Sequence, residues 1–184
     1  MEGDAAPLAA EGELTVGSAP STGMGLEIRL AGPADAPAIW RIYNQGIEDR
    51  LATFAAGLCR LAEVEGWLAN PRFRVLLAEN YRQPAGWASL SPYREGPVFS
   101  AMAEMSVYID RAWRRHAVGQ LLAEALIAEA RAVGLNKLIG YLLEHNISSR
   151  KLVEKLGFRA VGMHLRHGPP DGAGPNVVVV EKLL

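Results

Sequence analysis

One cysteine in 184 residues, Cys59, rules out an internal disulfide and fits a reducing compartment. No apolar run approaches the roughly 20 residues of a membrane-spanning helix. A basic excess is also missing: 19 Lys and Arg face 20 Asp and Glu, for a formal net charge of −1. That balance argues against a general nucleic-acid binder. The first 24 residues, rich in Ala, Gly, Ser and Pro, lack the basic start and apolar stretch of a signal peptide. Residues 1–25 are expected to be a disordered extension, residues 26–184 one domain, and the cytoplasm the compartment. Metal-ligand clusters are scarce too. His164 and His167 stand three apart without acidic or sulfur companions, so no metal is expected.

What is present suits one folded core: 49% hydrophobic and 21% charged residues. Residues 26–30 alternate as an edge strand, and Gly32-Pro33 ends it. Asp35 opens a helix to about residue 47, with Ile39, Trp40, Ile42 and Tyr43 on its apolar face. A weaker helix spans residues 60–68. Residues 73–78 and 85–90 read as strands around a polar turn at 80–84. A helix from Val118 to near Gly134 has apolar residues at Leu121, Leu122, Ala125 and Leu126. Residues 137–143 form a strand, Asn146 caps a helix over 147–156, and Gly157 ends it. Strands over 158–163 and 177–184 close the chain. This order predicts one α/β or α+β domain with a mixed sheet.

The most informative stretch is A-E-M-S-V-Y-I-D-R-A-W-R-R-H-A-V-G-Q, residues 103–120. A strand carrying Glu104 runs into a basic loop with Arg111, Arg114, Arg115 and His116, and the loop opens onto a helix. A helix amino terminus leaves backbone N–H groups unpaired and bears partial positive charge, and arginines add charge-assisted contacts. A polyphosphorylated ligand is therefore expected there, close to Glu104.

These residues, with I-Y-N-Q-G-I-E-D-R-L-A-T-F (42–54) and N-I-S-S-R-K-L-V-E-K-L-G-F (146–158), resemble the GCN5-related N-acetyltransferase (GNAT) superfamily. Within it the likeness is to the phosphinothricin/arsinothricin N-acetyltransferase group and covers about residues 28–184. The resemblance implies a twisted mixed sheet, about four helices, and two central parallel strands that splay apart to hold acetyl-CoA. Val107, Tyr108 and Ile109 would offer backbone to the pantetheine arm. Arg114, Arg115, His116, Ala117, Val118, Gly119 and Gln120 would wrap the diphosphate. Asn146 and Ser149 would contact the same cofactor, and Glu104 would be the general base. Phe54 and Arg94 would line the acceptor site, Arg94 holding a carboxylate or phosphinate. A homodimer is also implied.

Five positions depart from the group's pattern. Arg115 and Ala117 stand where the phosphate loop usually has glycine, and Val153 where many relatives carry Tyr, His or Cys. Gly96 replaces a second arginine, and Asn176 an Asp. No general acid can be named at Val153.

The reaction expected is acetyl transfer to the α-amino group of a small amino-acid-like acceptor. With an ammonium pKa of about 8 and a glutamate of about 4.3, proton transfer is uphill by about 5 kcal/mol. Glu104 therefore needs desolvation or a water relay. Two alternatives remain at this level. One is a relative that binds acyl-CoA without efficient turnover. The other is a nucleotide-phosphate binder, although G-x-x-x-x-G-K-[ST] occurs nowhere.

Overall fold

A computed structural model describes residues 25–51, 57–168 and 174–184; the expected wall residue Phe54 lies outside the described residues. Seven strands form one sheet in the order β1-β2-β3-β4-β5-β7-β6. They are β1 (Leu26–Leu30), β2 (Arg74–Asn80), β3 (Gln83–Pro92), β4 (Met102–Ile109), β5 (Lys137–Leu143), β6 (Arg159–His164) and β7 (Val177–Leu183). The helices are α1 (Ala36–Glu48), α2 (Leu61–Ala69), α3 (Val118–Ala132) and α4 (Ile147–Lys155). The element order matches the sequence expectation, with shifts of a residue or two at most ends. The β2–β3 connection is shorter than expected. Asn80 pairs with Gln83, and Tyr81 and Arg82 alone make the turn at φ 45° and 66°. Positive φ at both central residues belongs to the hairpin turn that matches strand twist.

Among the described residues only β4 and β5 pair in parallel, over Met102, Ala103 and Glu104 against Lys137, Leu138 and Ile139. Past Glu104 the two strands diverge, so the sheet opens at its centre. Along β4, Ala103, Met105, Val107 and Ile109 face the core under α3, whereas Tyr108 joins the opposite core. Period-two alternation thus puts Glu104 and Ser106 on the Tyr108 face.

Each face of the sheet has its own core. Val118, Leu122, Leu126 and Ala130 recur at helical spacing on α3 and pack with Leu90, Leu138 and Val178. On the other face, Ile39 and Ile42 of α1 and Val64 of α2 cover Leu77 and Trp87.

A buried amide ties the segment before α2 to α1. Asn44, 6% exposed, accepts from the Cys59 N–H at 2.8 Å and donates to its carbonyl at 3.1 Å. The Trp40 indole also donates to that carbonyl, at 2.7 Å. Replacing Asn44 by Ala strands the Cys59 N–H without its acceptor. Chemical denaturation should then show a loss of about 2–3 kcal/mol. A loss within experimental error would mean that water replaces the amide.

Candidate active site

Two cavities meet where β4 and β5 part. The larger, about 680 Å³, lies between the loop after β4, the start of α3 and the start of α4. The smaller, about 320 Å³, passes through the opening and contains Glu104 in its wall. Leu51, Val107, Tyr108, Asn146, Ser149 and Leu152 line both. A ligand filling the larger cavity therefore reaches the smaller one past Val107 and Tyr108.

The start of α3 leaves its first donors without helical acceptors. Intrahelical bonding begins with the Gln120 N–H to the Ala117 carbonyl at 3.0 Å. Ala117 occupies the N-cap position and has no side-chain oxygen to cap it. Arg115 and Ala117, the two residues at glycine positions, adopt φ of 67° and 62°. The backbone shape expected of a glycine loop is thus kept by L-residues, at a conformational cost. A β-branched residue tolerates that region worst. Ala117→Val should therefore lower stability by about 2 kcal/mol. It should also weaken acetyl-CoA binding, both readable by thermal shift with and without the cofactor. Unchanged melting would mean that the loop does not hold this conformation.

The basic cluster divides into two parts. Arg111 is bound to the carboxyl end of α1, donating to Asp49 at 2.8 Å and Glu48 at 2.7 Å. Arg114 pairs with Asp49 at 2.7 Å while still lining the larger cavity. Arg111, and then Arg114, hold the Asp49 carboxyl below the ordinary range against its partial desolvation. Asp110 fixes the turn itself, accepting from Gln45 at 3.1 Å, from the Ala112 N–H at 2.9 Å and from Arg41. Burial alone would raise its pKa, and these donors more than offset it. Arg115 makes no ion pair among the described residues and faces the larger cavity together with Lys151 and Lys155.

Most of the expected cofactor residues line that cavity: Val107, Tyr108, Ile109, Arg114, Arg115, Ala117, Gly119, Gln120, Asn146 and Ser149. Two side chains do not. His116 lies edge-on to Trp113 at 6.2 Å, and Val118 is buried in the core. Asn146 caps α4 as expected, accepting from the Ser149 N–H at 3.1 Å, and its amide donates to the Leu51 carbonyl. Sequence reasoning missed Lys151 and Lys155. Their spacing of four, on a helix with a fixed cap, was the available signal.

Glu104 is partly buried, and burial raises its pKa above the ordinary glutamate value. Tyr108, raised first by burial and further by Tyr43 and Glu104, lies beside it. Around them stand Tyr43, Trp67, Phe73, Trp87 and Tyr141, none of which sequence reasoning had placed at the site. Trp87 stacks on Tyr108 at 4.6 Å, and Tyr43 meets Tyr108 edge-on at 4.9 Å. These rings come from five different elements or loops, so no local pattern announced them. Arg94 sits outside the cavity wall, its guanidinium 5.1 Å from the Tyr93 ring and 5.9 Å from Phe99. Its charge still acts on Tyr141, whose pKa is raised first by burial. Cys59 lines neither cavity; burial first, then Glu63, pushes its thiol up to about 12.

A partly buried carboxylate in a small aromatic chamber that opens onto a larger, basic-lined cavity suits proton removal from a nucleophile beside an anionic co-substrate. The L-methionine sulfoximine/L-methionine sulfone acetyltransferase of Pseudomonas aeruginosa is 32% identical over 153 residues, covering 81% of this chain and 89% of that protein. The crystal structure of ribosomal-protein-alanine N-acetyltransferase from Brucella melitensis superposes with a TM-score of 0.80 at 34% identity, covering 85% of this chain and 99% of that one. The structure of yncA from Salmonella typhimurium, solved with its cofactor acetyl-CoA, also gives 0.80, at 26% identity over 87% of this chain and 94% of that one. Residues 39–158 match the Acetyltransferase (GNAT) family, and the chain belongs to that family of acetyl-CoA-dependent acetyltransferases.

Proposed function

We propose that this enzyme transfers acetyl from acetyl-CoA to the α-amino group of a small amino-acid-like acceptor of the methionine-sulfoximine, phosphinothricin or arsinothricin type. The observation that carries this reading is the junction of the two cavities at Val107, Tyr108 and Asn146, with Glu104 in the wall of the smaller. The diphosphate lies against the N–H groups at the start of α3, helped by Arg115, Lys151 and Lys155. Pantetheine follows Val107, Tyr108 and Ile109 into the gap between β4 and β5. The acceptor enters the smaller cavity as an ammonium and gives a proton to Glu104. Its nitrogen then attacks the thioester carbon; the carbon–sulfur bond breaks with its electron pair on sulfur, and the second proton lost from nitrogen neutralises the CoA thiolate. Raising the Glu104 pKa shortens the uphill proton transfer that an ordinary glutamate faces. Arg94, whose charge reaches Tyr141 in the cavity wall, serves the acceptor's α-carboxylate.

The name of the P. aeruginosa relative and the volume of the smaller cavity support a small acceptor. A homodimer is part of the reading. Edge strand β6 and the residue beyond it expose Val161, Met163 and Leu165, an apolar strip a second copy can cover. The cytoplasm is its compartment. Thiol release from acetyl-CoA across a panel of amino acids tests the activity. Release with one or more small amino acids is expected. Background signal throughout, with acetyl-CoA still stabilising the fold, would point to a binder without turnover.

A further inference from the structure

Residues 1–24, 52–56 and 169–173 contain no Lys, Arg or His, so all 19 Lys and Arg and all four His are among the described residues. None of them lines the smaller cavity, and among the described residues Glu104 is the one charged side chain in its wall. The wall beside Glu104 is made of rings, including Tyr43, Trp67, Phe73 and Trp87. Trp87 is 2% exposed, and its indole N–H has no acceptor. Arg94 is not in the wall, although its charge reaches Tyr141, which is.

An amino acid with a charged distal group brings two anions. Arg94 can serve the α-carboxylate. A second anion carried inward meets aromatic rings and Glu104, with no cation to pair it. A buried charge without a partner is costly, and a like charge nearby adds to the cost. A neutral distal group loses nothing there, and one bearing a weak acceptor oxygen can also meet an unpaired indole donor.

Resting on the amino-acid reading above, we propose that the smaller cavity selects amino acids whose distal group is uncharged, such as a sulfone or thioether. On the same ground it disfavours, among the acceptor types proposed above, those ending in a phosphinate or carboxylate. With two like charges about 6 Å apart at an effective dielectric of about 20, discrimination of about 100-fold is expected.

The test compares kcat/KM for L-methionine sulfone and L-phosphinothricin with the full chain at saturating acetyl-CoA, followed by thiol release. The sulfone should exceed phosphinothricin by about 30-fold or more. Phosphinothricin used as well as the sulfone, or better, overturns the selectivity while leaving the amino-acid reading intact. Neither compound nor any other amino acid accepted, with acetyl-CoA still bound, overturns both. Phe73→Arg supplies the missing cation at the wall and should move the ratio toward phosphinothricin by about 10-fold. An unmoved ratio in a folded variant would show that the lack of a cation does not set the preference.

Discussion

Glu104→Gln is expected to cut kcat by about 10²–10⁴-fold while leaving the affinity for acetyl-CoA unchanged. Gln matches the shape of the side chain and removes its ability to accept a proton. Glu104 lies in the smaller cavity and not in the wall of the larger one, so the cofactor mouth is untouched. The pH profile gives a second readout. A base acts in its deprotonated form, so kcat/KM rises with pH through its pKa. Burial raises that pKa, which moves the acidic limb to higher pH than an ordinary glutamate would give. In the Gln variant this limb should vanish from the residual rate. Unchanged turnover with the limb retained would remove Glu104 as the base.

The second large effect belongs to the start of α3. Gly119→Glu should weaken acetyl-CoA binding by at least about 100-fold without harming the fold. A Cβ at Gly119 would stand 3.5 Å from Ile109 and 3.6 Å from Leu152, ordinary contact distances, and its φ is not left-handed. A carboxylate in the first turn of a helix is itself favourable, by a few tenths of a kcal/mol. Opposite a phosphate about 5 Å away, the same charge costs about 3 kcal/mol at an effective dielectric of about 20. Thermal melting should therefore show an apo protein at least as stable as the parent, with the shift induced by acetyl-CoA lost. A full shift in the variant would place the diphosphate elsewhere. Glu104→Gln and Gly119→Glu thus separate chemistry from cofactor binding.

Periodicity and punctuation made most of the fold legible. The strand at Lys137–Leu143 is bounded in the sequence as in the structure, and Asn146 and Gly157 bracket α4 as their side-chain and backbone preferences dictate. The residues of the larger cavity could also be grouped from the sequence, because strand, loop and helix start are contiguous in the chain. The loop's arginines were harder to judge. Their partners Glu48 and Asp49 lie more than 60 residues earlier, and only folding brings the end of α1 to them. The acceptor chamber was least visible. Its rings come from positions 43, 67, 73, 87, 108 and 141, each of which reads locally as ordinary core. The departures at Arg115 and Ala117 alter chemistry more than shape, since both keep the left-handed backbone that glycine adopts freely.

A crystal structure of the chain with acetyl-CoA tests the central claim most directly. It should place the diphosphate oxygens within hydrogen-bonding distance of the N–H groups around Ala117 and Gly119, and the thioester at Val107 beside Glu104. A diphosphate bound away from that helix start, or a Glu104 carboxylate turned out of the cavity toward solvent, would contradict it.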